Sequence, residues 1–276
     1  MTSDEAAGPG DGKRGSLPFD ISKAHQARIY DYYLGGKDNY ESDRAAGDAY
    51  LKVYPDLVAT AQANRAFLGR TVRYLVREAG IRQFLDIGTG IPTAGNTHEV
   101  AQEIAPGTRV VYVDYDPIVL AHSRALLESH EAGATEYIDA DLRDTDTILD
   151  QAGRLLDLSK PVAVTLISIL HAIPASDDPH AIVARLMDAV PPGSYLALSH
   201  MGADLLPPET SEGLQSISGR LSQQQYTYRT REEVARFFEG MELVPPGVVR
   251  VEEWRPEPEA GQVGPSALWV AVGRKR

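Results

Sequence analysis

The chain has 276 residues, a length typical of one large domain or of one domain with an extension. Its 43% hydrophobic and 24% charged residues are ordinary for a globular protein with a buried core. The absence of cysteine excludes disulfides, thiolate nucleophiles and cysteine-based zinc sites. The 39 acidic and 27 basic side chains give a formal charge of −12. We therefore expect no nucleic acid partner, because proteins that neutralise phosphates usually carry excess positive charge.

Neither a membrane span nor an export signal is predicted. The longest apolar run, from Val162 to Ile173, is interrupted by Thr165, Ser168 and His171. It is shorter than the ~18–20 residues that cross a bilayer. The N-terminus has no apolar stretch of the kind found in secretory peptides. We expect a cytoplasmic protein without membrane association, and the sequence gives no indication of its oligomeric state.

The first 80 residues divide into a tail and a helical region. Residues 1–16 are rich in Gly, Ala, Ser and charge without periodicity, which predicts a disordered tail. Residues 17–80 show helical spacing of apolar side chains, with a first helix that breaks at Gly35-Gly36. Further helices are predicted from Asp43 to Tyr54 and from Asp56 to Ala79. We interpret residues 17–80 as an N-terminal helical extension that acts as a lid.

From residue 81 to residue 276, short apolar runs alternate with helical stretches. Strands are predicted at Gln83–Ile87, Arg109–Val113, Thr135–Ile138, Val162–Ile167, Tyr195–Ser199, Val248–Val251 and Leu268–Val272. Helices are predicted at 96–104, 117–130, 145–158, 177–190 and 230–238. This order predicts an α/β, Rossmann-like fold with a seven-stranded, mostly parallel sheet covered by helices on both faces. The last two strands should form an antiparallel hairpin, and residues 202–229 are interpreted as an insertion.

A Gly-x-Gly turn joins the first strand to the helix after it. The stretch reads Phe84-Leu85-Asp86-Ile87-Gly88-Thr89-Gly90 and continues to Thr93. Such a turn allows a ligand to approach the backbone at the helix N-terminus, past the carboxyl end of a parallel strand. Glycines at this position are often purely structural, so the interpretation depends on the residues at the ends of the neighbouring strands.

Acidic residues stand at the ends of the next two strands. Asp114 ends the second strand, where a carboxylate can accept both hydroxyls of a ribose, and Asp116 is the alternative for this role. Asp141 comes directly after the third strand. Because the carboxyl ends of parallel strands share one edge of a sheet, these acids are expected at the same edge as the glycine turn.

The residues of the turn fit S-adenosylmethionine better than NAD. The dinucleotide fingerprint expects Gly or Ala where Thr93 stands, so NAD fits poorly. Asp86, two residues before the first glycine, is instead typical of the S-adenosylmethionine turn. That cofactor carries an ammonium and a sulfonium cation, which suit a site with several carboxylates.

Several motifs together resemble a known family. They are the segments Arg28–Tyr40, Asn64–Leu68, Gln83–Thr93 and Val113–Pro117. The chain from about residue 17 to its end is similar to the bacterial S-adenosyl methyltransferase family long labelled a domain of unknown function, within the class I S-adenosylmethionine-dependent methyltransferases. The Leu-Gly-Gly-Lys-Asp-Asn element at residues 34–39 is specific to that family. The resemblance implies S-adenosylmethionine as cofactor and S-adenosylhomocysteine as product, but supplies no substrate.

The resemblance also implies roles for individual residues. Asp86, Gly88 and Gly90 should line the methionine end of the cofactor, Asp114 should bind the ribose, and Tyr115 should stack near the adenine. Asp141 should receive the adenine amino group, with Leu142 packed on the ring. Further residues expected at the cofactor site are Thr89, Ser168, Tyr30, Gly35, Gly36 and Arg65.

His171 is the candidate catalytic residue. Methyl transfer is an in-line displacement that depends on positioning, and a base is needed only when the acceptor must lose a proton. His171 comes after the fourth strand, at the edge where the methyl group would lie, and is interpreted as a base or an acceptor-positioning group. The alternative is a histidine that packs under the cofactor or caps the strand. His200 stands at the end of the fifth strand, but the two histidines lack metal-ligand spacing, so no metal is expected.

Two other regions are candidates for covering the site. Tyr30 and Tyr33, with the Gly35-Gly36 loop, are interpreted as a lid whose rings attract a sulfonium, the alternative being helix core. Arg65 pairs either with the cofactor carboxylate or with an internal acid. The stretch 223–229 is interpreted as a cover over the acceptor pocket, the alternative being a solvated loop.

The leading hypothesis is a methyltransferase with a small-molecule acceptor. The Asn/Asp-Pro-Pro-aromatic motif of adenine and amide N-methyltransferases is absent after the fourth strand, which argues against DNA adenine and protein glutamine. The alternatives are a regulatory protein that binds the cofactor without catalysis and, less favoured, an NAD-dependent oxidoreductase.

Overall fold

The computed structural model describes residues 20–126, 133–221, 226–256 and 266–276. The predicted tail at residues 1–16 therefore lies outside the described residues, as do the last four residues of the predicted helix 117–130 and residues 223–225 of the predicted cover.

Helices and strands alternate along most of the described chain. The helices are α1 (Gln26–Tyr33), α2 (Glu41–Val53), α3 (Leu57–Arg77), α4 (Thr97–Ile104), α5 (Pro117–Leu126), α6 (Thr145–Ala152), α7 (Pro179–Asp188), α8 (Pro208–Leu221) and α9 (Arg231–Arg236). The strands are β1 (Gln83–Ile87), β2 (Arg109–Asp114), β3 (Ala134–Asp139), β4 (Ala163–Ile167), β5 (Tyr195–Met201), β6 (Met241–Leu243), β7 (Val249–Arg250) and β8 (Leu268–Lys275). Two short 3-10 helices come after β4, at Leu170–Ala172 and Ala175–Asp177.

The strands form one sheet with the order β3-β2-β1-β4-β5-β8-β6, and β7 also pairs with β8. Strands β1 to β5 are parallel, whereas β8 runs antiparallel to β5, β6 and β7. The chain winds outward from β1 in one direction and from β4 in the other. The carboxyl ends of β1 and β4 therefore mark the switch point, where open α/β sheets bind their ligands.

The α/β fold with a mostly parallel sheet and antiparallel C-terminal strands is confirmed. The sheet has eight strands in the described residues rather than the predicted seven. The additional strand, β6, has three residues and pairs with the end of β8, from Met241 beside Lys275 to Leu243 beside Gly273. A strand this short is too brief to show a periodic pattern in the sequence. The predicted final hairpin is present as the antiparallel pair β7–β8.

The sheet carries a hydrophobic core on each face. On one face, Phe67, Val72 and Leu75 of α3 are fully buried in the same cluster as Phe84 of β1. The helix α3, which belongs to the predicted extension, therefore packs as one unit with the sheet. On the other face, Leu85 of β1 belongs to a second cluster that includes side chains of α6, α7 and α9. The alternation of Phe84 and Leu85 between faces is the two-residue period of a strand.

Helix starts are specified by side chains that satisfy free backbone N–H groups. Thr230 accepts a hydrogen bond from the Glu233 N–H, and the Glu233 carboxylate accepts one from the Thr230 N–H, which forms the predicted capping box of α9. Asp178 caps α7 and is followed by Pro179 at the first helical position.

Within the described part of the chain, no helix has both the length and the apolar character to cross a membrane.

Candidate functional site

A large cavity lies at the switch point, between the carboxyl edge of the sheet and the N-terminal helices. Its volume is about 1570 Å³ when the space at its open mouth is included. Strand-end residues from β1, β2 and β4 form one wall. Residues from α1, α2, α3 and α8, together with Tyr226 and Tyr228, form the other. The edge of the sheet where a ligand site was predicted therefore lines a cavity that helices cover.

The glycine turn after β1 forms the floor of this cavity. Gly88 has a φ of +75°, and a Cβ at this position would lie 2.6 Å from Cγ1 of Ile169, so only glycine fits. A Cβ on Gly90 would meet nothing within 4 Å. The first glycine therefore permits close packing of the turn on the end of β4, whereas the second leaves open space beside the turn. Open space at Gly90 is what a cofactor lying against the backbone requires.

Asp86 is buried at the base of the turn. Its carboxylate accepts hydrogen bonds from the Thr97 hydroxyl at 2.6 Å and the Thr165 hydroxyl at 2.7 Å. Burial raises the pKa of Asp86 above its usual value, although both hydroxyls act in the opposite direction. Asp86 lines the cavity and connects the turn to α4 and β4.

Asp114 lies at the end of β2 and faces the turn. Its Oδ2 accepts the Gly90 N–H at 2.9 Å, and its Oδ1 accepts the N–H groups of Tyr115 and Asp116. Burial raises the pKa of Asp114, and the backbone hydrogen bonds oppose this effect. Asp114 therefore lies between the glycine turn and the loop after β2, on the cavity wall.

The alternative acid, Asp116, contacts the first helix instead. His25, the N-cap of α1, places its Nδ1 2.7 Å from Oδ2 of Asp116. Although burial works in the opposite direction, His25 holds the pKa of Asp116 below its usual value. The His25 ring also packs edge-on against Tyr115, with the ring centroids 6.0 Å apart. These contacts join the start of α1 to the acid loop, and the sequence pattern gave no sign of His25 in this place.

A smaller pocket opens on the other side of Asp114 and Tyr115. Asp141 and Leu142 line it, and it shares Gly88, Asp114 and Tyr115 with the large cavity. Asp141 forms a two-point ion pair with Arg143, whose hydrogen bonds lower the pKa of Asp141. The same pocket is thus lined by all three residues expected near an adenine, Tyr115, Asp141 and Leu142.

A chain of hydrogen bonds crosses from the helices to the sheet. The Asn64 amide donates to the Tyr30 hydroxyl at 3.0 Å and accepts from the Ser199 hydroxyl at 2.6 Å. Ser199 in turn accepts the N–H of Ser168 at 2.9 Å. Ser168 has a φ of +57°, a strained conformation for a residue other than glycine. Asn64 therefore fixes both Tyr30 and the strained end of β4 on the cavity wall.

Thr89 forms a hydrogen bond with a residue of strand β3. Its hydroxyl lies 2.7 Å from the Tyr137 hydroxyl of β3. Both residues line the cavity. The middle residue of the turn is thereby connected to a strand two places away in the sheet.

His171 lies on the cavity wall in the short helix after β4. Its Nε2 is 2.7 Å from the amide nitrogen of Gln26, which belongs to α1. Its Nδ1 is buried and has no hydrogen-bond partner among the described residues. Burial lowers the pKa of His171 to about 4, with a further contribution from the charge of Arg229. His171 is therefore neutral at neutral pH and a weaker base than an ordinary histidine.

Both ring nitrogens of His200 form hydrogen bonds within the protein. Its Nδ1 lies 2.8 Å from the carbonyl oxygen of Met201, to which it donates, so its Nε2 accepts from Arg229 at 2.8 Å. Burial lowers the pKa of His200 well below its usual value. In the part of the chain that the structure describes, no cluster of three or more His, Asp or Glu side chains could hold a metal ion.

Gly35 and Gly36 lie outside the lining of the cavity. Their loop instead folds around the carboxylate of Asp31. Asp31 accepts the Asp38 N–H and the Asn39 side-chain amide, both at 2.9 Å, and its backbone carbonyl accepts the Gly36 N–H. A Cβ on Gly36 would collide with this carboxylate. The family-specific element is thus a structural turn in the described structure, and the prediction that its glycines contact the cofactor is not supported.

Arg65 contacts the backbone after the glycine turn. Its guanidinium donates to the carbonyl oxygens of Thr93 and Ala94 and to the Asn96 side chain, at 3.0 to 3.2 Å. It therefore holds the loop that leads into α4 while its side chain lines the cavity. These three partners are neutral groups, and a cofactor carboxylate as a further partner of Arg65 stays a prediction.

The insertion covers the cavity, at least in its described part. Leu214 of α8, Tyr226 and Tyr228 line the wall, and Gly213 packs against Val53 of α2. The position of Tyr226 and Tyr228 agrees with the interpretation of the stretch 223–229 as a cover, whereas the contact of α8 with α2 had no signal in the sequence.

The fold and the site define a class I, Rossmann-like nucleoside-binding domain with a covered cavity at its switch point. The S-adenosyl methyltransferase family model matches residues 13–276. The chain belongs to this family, and S-adenosylmethionine is accordingly its cofactor, with S-adenosylhomocysteine as the product.

Solved structures agree with the family. A DUF574 family protein from Streptomyces avermitilis MA-4680 is 46% identical, with 93% of this chain and 99% of that chain covered and a TM-score of 0.89. A candidate methyltransferase from Thermobifida fusca YX is 42% identical, with 93% and 97% covered and a TM-score of 0.84. A SAM-dependent methyltransferase from Anabaena variabilis ATCC 29413, 14% identical with 84% and 95% covered and a TM-score of 0.53, shares the fold. No curated protein matches the chain.

Proposed function

We propose that the protein transfers a methyl group to a small molecule bound inside the covered cavity. The observation that carries this proposal is that one cavity contains both the glycine turn and a helix-covered space beside it. Helices α1, α2, α3 and α8 contribute residues to its wall. A polymeric acceptor needs an open surface, whereas a small molecule can be enclosed.

The cofactor would lie along the carboxyl edge of the sheet. Asp86, Gly88, Thr89 and Gly90 would hold its methionine end, Asp114 its ribose, and Tyr115, Asp141 and Leu142 its adenine. When bound, S-adenosylmethionine supplies an electrophilic methyl group on a cationic sulfur. Burial raises the pKa of Asp86 and Asp114, and a cationic ligand would offset the cost of burying their negative charge.

The protein's own contribution is to orient the acceptor and exclude water. Tyr30 and Ser168 are held by Asn64, so the wall nearest the end of β4 is rigid. His171 is neutral, and its low pKa favours a positioning role over proton removal. Arg65 would act indirectly, because it fixes the loop after the glycine turn.

The test is to identify which class of molecule receives the label. The purified protein is incubated with S-[methyl-14C]adenosylmethionine and a cell extract separated into small-molecule, protein and nucleic acid fractions. We expect label in the small-molecule fraction, and expect His171→Ala to reduce it at least tenfold with S-adenosylhomocysteine affinity within twofold of wild type. Label confined to protein or nucleic acid would contradict the proposal. Cofactor binding without label in any fraction would favour the regulatory alternative.

A further inference from the structure

Charge is unevenly distributed along the cavity wall. The Asp and Arg side chains of the wall are Asp86 and Asp114 at strand ends and Arg65, which lies against the loop at 93–96. The opposite part of the wall comes from helices α1, α2, α3 and α8 and from the loop that carries Tyr226 and Tyr228. We call it the helical chamber and define it by Tyr33, Tyr50, Leu57, Leu214, Tyr226 and Tyr228. Among the described lining residues, no Asp, Glu, Lys or Arg belongs to this chamber.

An ion would be poorly accommodated in the helical chamber. A charged group that leaves water needs an opposite charge or several hydrogen bonds to offset the loss of hydration. The chamber wall consists of tyrosine and aliphatic side chains, and most of these are buried. The chamber therefore selects against charged ligands of either sign.

The hydroxyls of two tyrosines on the wall are bonded to the backbone. The Tyr33 hydroxyl donates to the carbonyl oxygen of Gly47, and the neighbouring Tyr30 hydroxyl donates to that of Ala61, both at 3.0 Å. Burial raises the pKa values of Tyr33 and Tyr228, so these phenols stay neutral. Rings of this kind pack well against another flat ring, edge-on or offset.

His171 carries a donor that no described protein group uses. The Gln26 amide nitrogen can only donate, so Nε2 of His171 accepts from it and the proton of the neutral imidazole lies on Nδ1. This Nδ1–H is buried and has no hydrogen-bond partner among the described residues. A buried donor without a partner is costly, and an oxygen atom on a ligand would satisfy it.

We propose that the helical chamber binds an uncharged aromatic molecule that offers a single hydroxyl or carbonyl oxygen to Nδ1 of His171. This inference rests on the proposed function only in so far as the bound molecule is the methyl acceptor. The binding preference itself depends on the chamber wall and can be measured without catalysis.

The experiment compares three probes of the same ring size by calorimetry at neutral pH: 2-naphthol, naphthalene-2-sulfonate and 2-naphthylmethylammonium. Each is titrated into the full chain with and without saturating S-adenosylhomocysteine. We expect 2-naphthol to bind at least tenfold more tightly than either ion in at least one of the two states. A smaller preference in both states, or no binding of 2-naphthol, overturns the inference.

Two variants locate the bound probe. Leu57→Trp fills the chamber from the start of α3 and should weaken 2-naphthol binding at least tenfold. Gln62→Trp places the same side chain on the exposed face of α3 and should leave binding within twofold. His171→Phe keeps a ring in place but removes the donor, so it should also weaken 2-naphthol at least tenfold, and it serves if Leu57→Trp does not fold. Unchanged 2-naphthol affinity in a folded chamber variant overturns the inference.

Failure of this inference is distinguishable from failure of the proposed function. S-adenosylhomocysteine binding with no preference among the probes refutes only the chamber's ligand class. Binding of 2-naphthol by a chain that does not bind S-adenosylhomocysteine supports the chamber and refutes the proposed function.

Discussion

Asp114 is the residue on which the cofactor assignment depends most. It holds the N–H groups of Gly90, Tyr115 and Asp116, and therefore connects the two loops that would contact the nucleoside. Asp114→Asn keeps the size of the side chain but removes its charge and one acceptor oxygen. We expect it to weaken S-adenosylhomocysteine binding at least tenfold, about 1.4 kcal/mol, by calorimetry. Asp139→Asn, at the exposed end of β3, is the matched control and should change affinity less than twofold. An Asp114→Asn affinity within twofold of wild type would refute the ribose role.

The lowered pKa of His171 implies that the free energy of unfolding depends on pH. Its pKa is about 4 in the folded chain because of burial, against 6.5 as the ordinary value. The unfolded chain therefore takes up a proton on this residue at a higher pH than the folded chain does. The free energy of unfolding should fall as the pH drops from about 6.5 to about 4, with on the order of 3 kcal/mol from this residue.

Chemical denaturation across that pH range, compared between wild type and His171→Gln, measures this contribution. Between about pH 6.5 and pH 4, the free energy of unfolding of the variant should fall by on the order of 3 kcal/mol less than that of wild type. His180→Gln, at an exposed histidine, is the control and should behave much more like wild type. Equal pH slopes for wild type and His171→Gln would show that His171 does not carry the effect.

At the scale of residues, strand ends are where the sequence pattern itself indicates which side chains share the candidate site. Tyr30 and Arg65, on helices, were also predicted there and line the cavity. Asp86, Asp114 and Asp141 were predictable because a parallel sheet brings its carboxyl ends together. His25 and Asn64 were not, because each reaches the site from a helix far away in the sequence. Gly35 and Gly36 were assigned to the cofactor because a glycine pair after Tyr30 and Tyr33 suggested a lid, yet a glycine pair can equally form a structural turn.

The loop at residues 34–39 is an element whose stability depends on one close contact. Gly36 lies against the Asp31 carboxylate, so an added methyl group has no space. We expect Gly36→Ala to lower the free energy of unfolding by about 1–3 kcal/mol, as overpacking typically does. Gly35 has a φ of +76° and nothing near its missing Cβ, and Gly35→Asn should cost less than about 1 kcal/mol. Urea denaturation of both variants tests this, and equal losses for the two would contradict the packing argument.

At the scale of elements, most helices and strands were predictable, whereas helix α8, inside the predicted insertion, and strand β6 were not. The capping box at Thr230 and the Asp178-Pro179 start are local signals that specify a helix in any context. Strand β6 has three residues and is formed only because the end of β8 offers it a partner. The 3-10 helix that carries His171 likewise depends on tertiary contacts, among them the bond of Thr227 N–H to the His171 carbonyl.

At the scale of the whole molecule, the N-terminal helices and the sheet form a single unit around the cavity. Helix α3 shares a hydrophobic cluster with the sheet, while α1 is joined to the acid loop through His25 and to α2 through the buried Arg28–Asp43 ion pair. Because the same helices close the cavity, a ligand inside it would contact both parts of the chain. Ligand binding should therefore stabilise the molecule against unfolding as one cooperative unit.

The cavity at the glycine turn is the place where we expect the methyltransferase cofactor to bind, and the roles proposed for the cofactor residues depend on it. Calorimetric titration of the purified chain with S-adenosylmethionine, S-adenosylhomocysteine and NAD tests this most directly. We expect one bound S-adenosylhomocysteine per chain, competition between it and S-adenosylmethionine, and no measurable response to NAD. Binding of NAD together with no response to either S-adenosyl compound would contradict it.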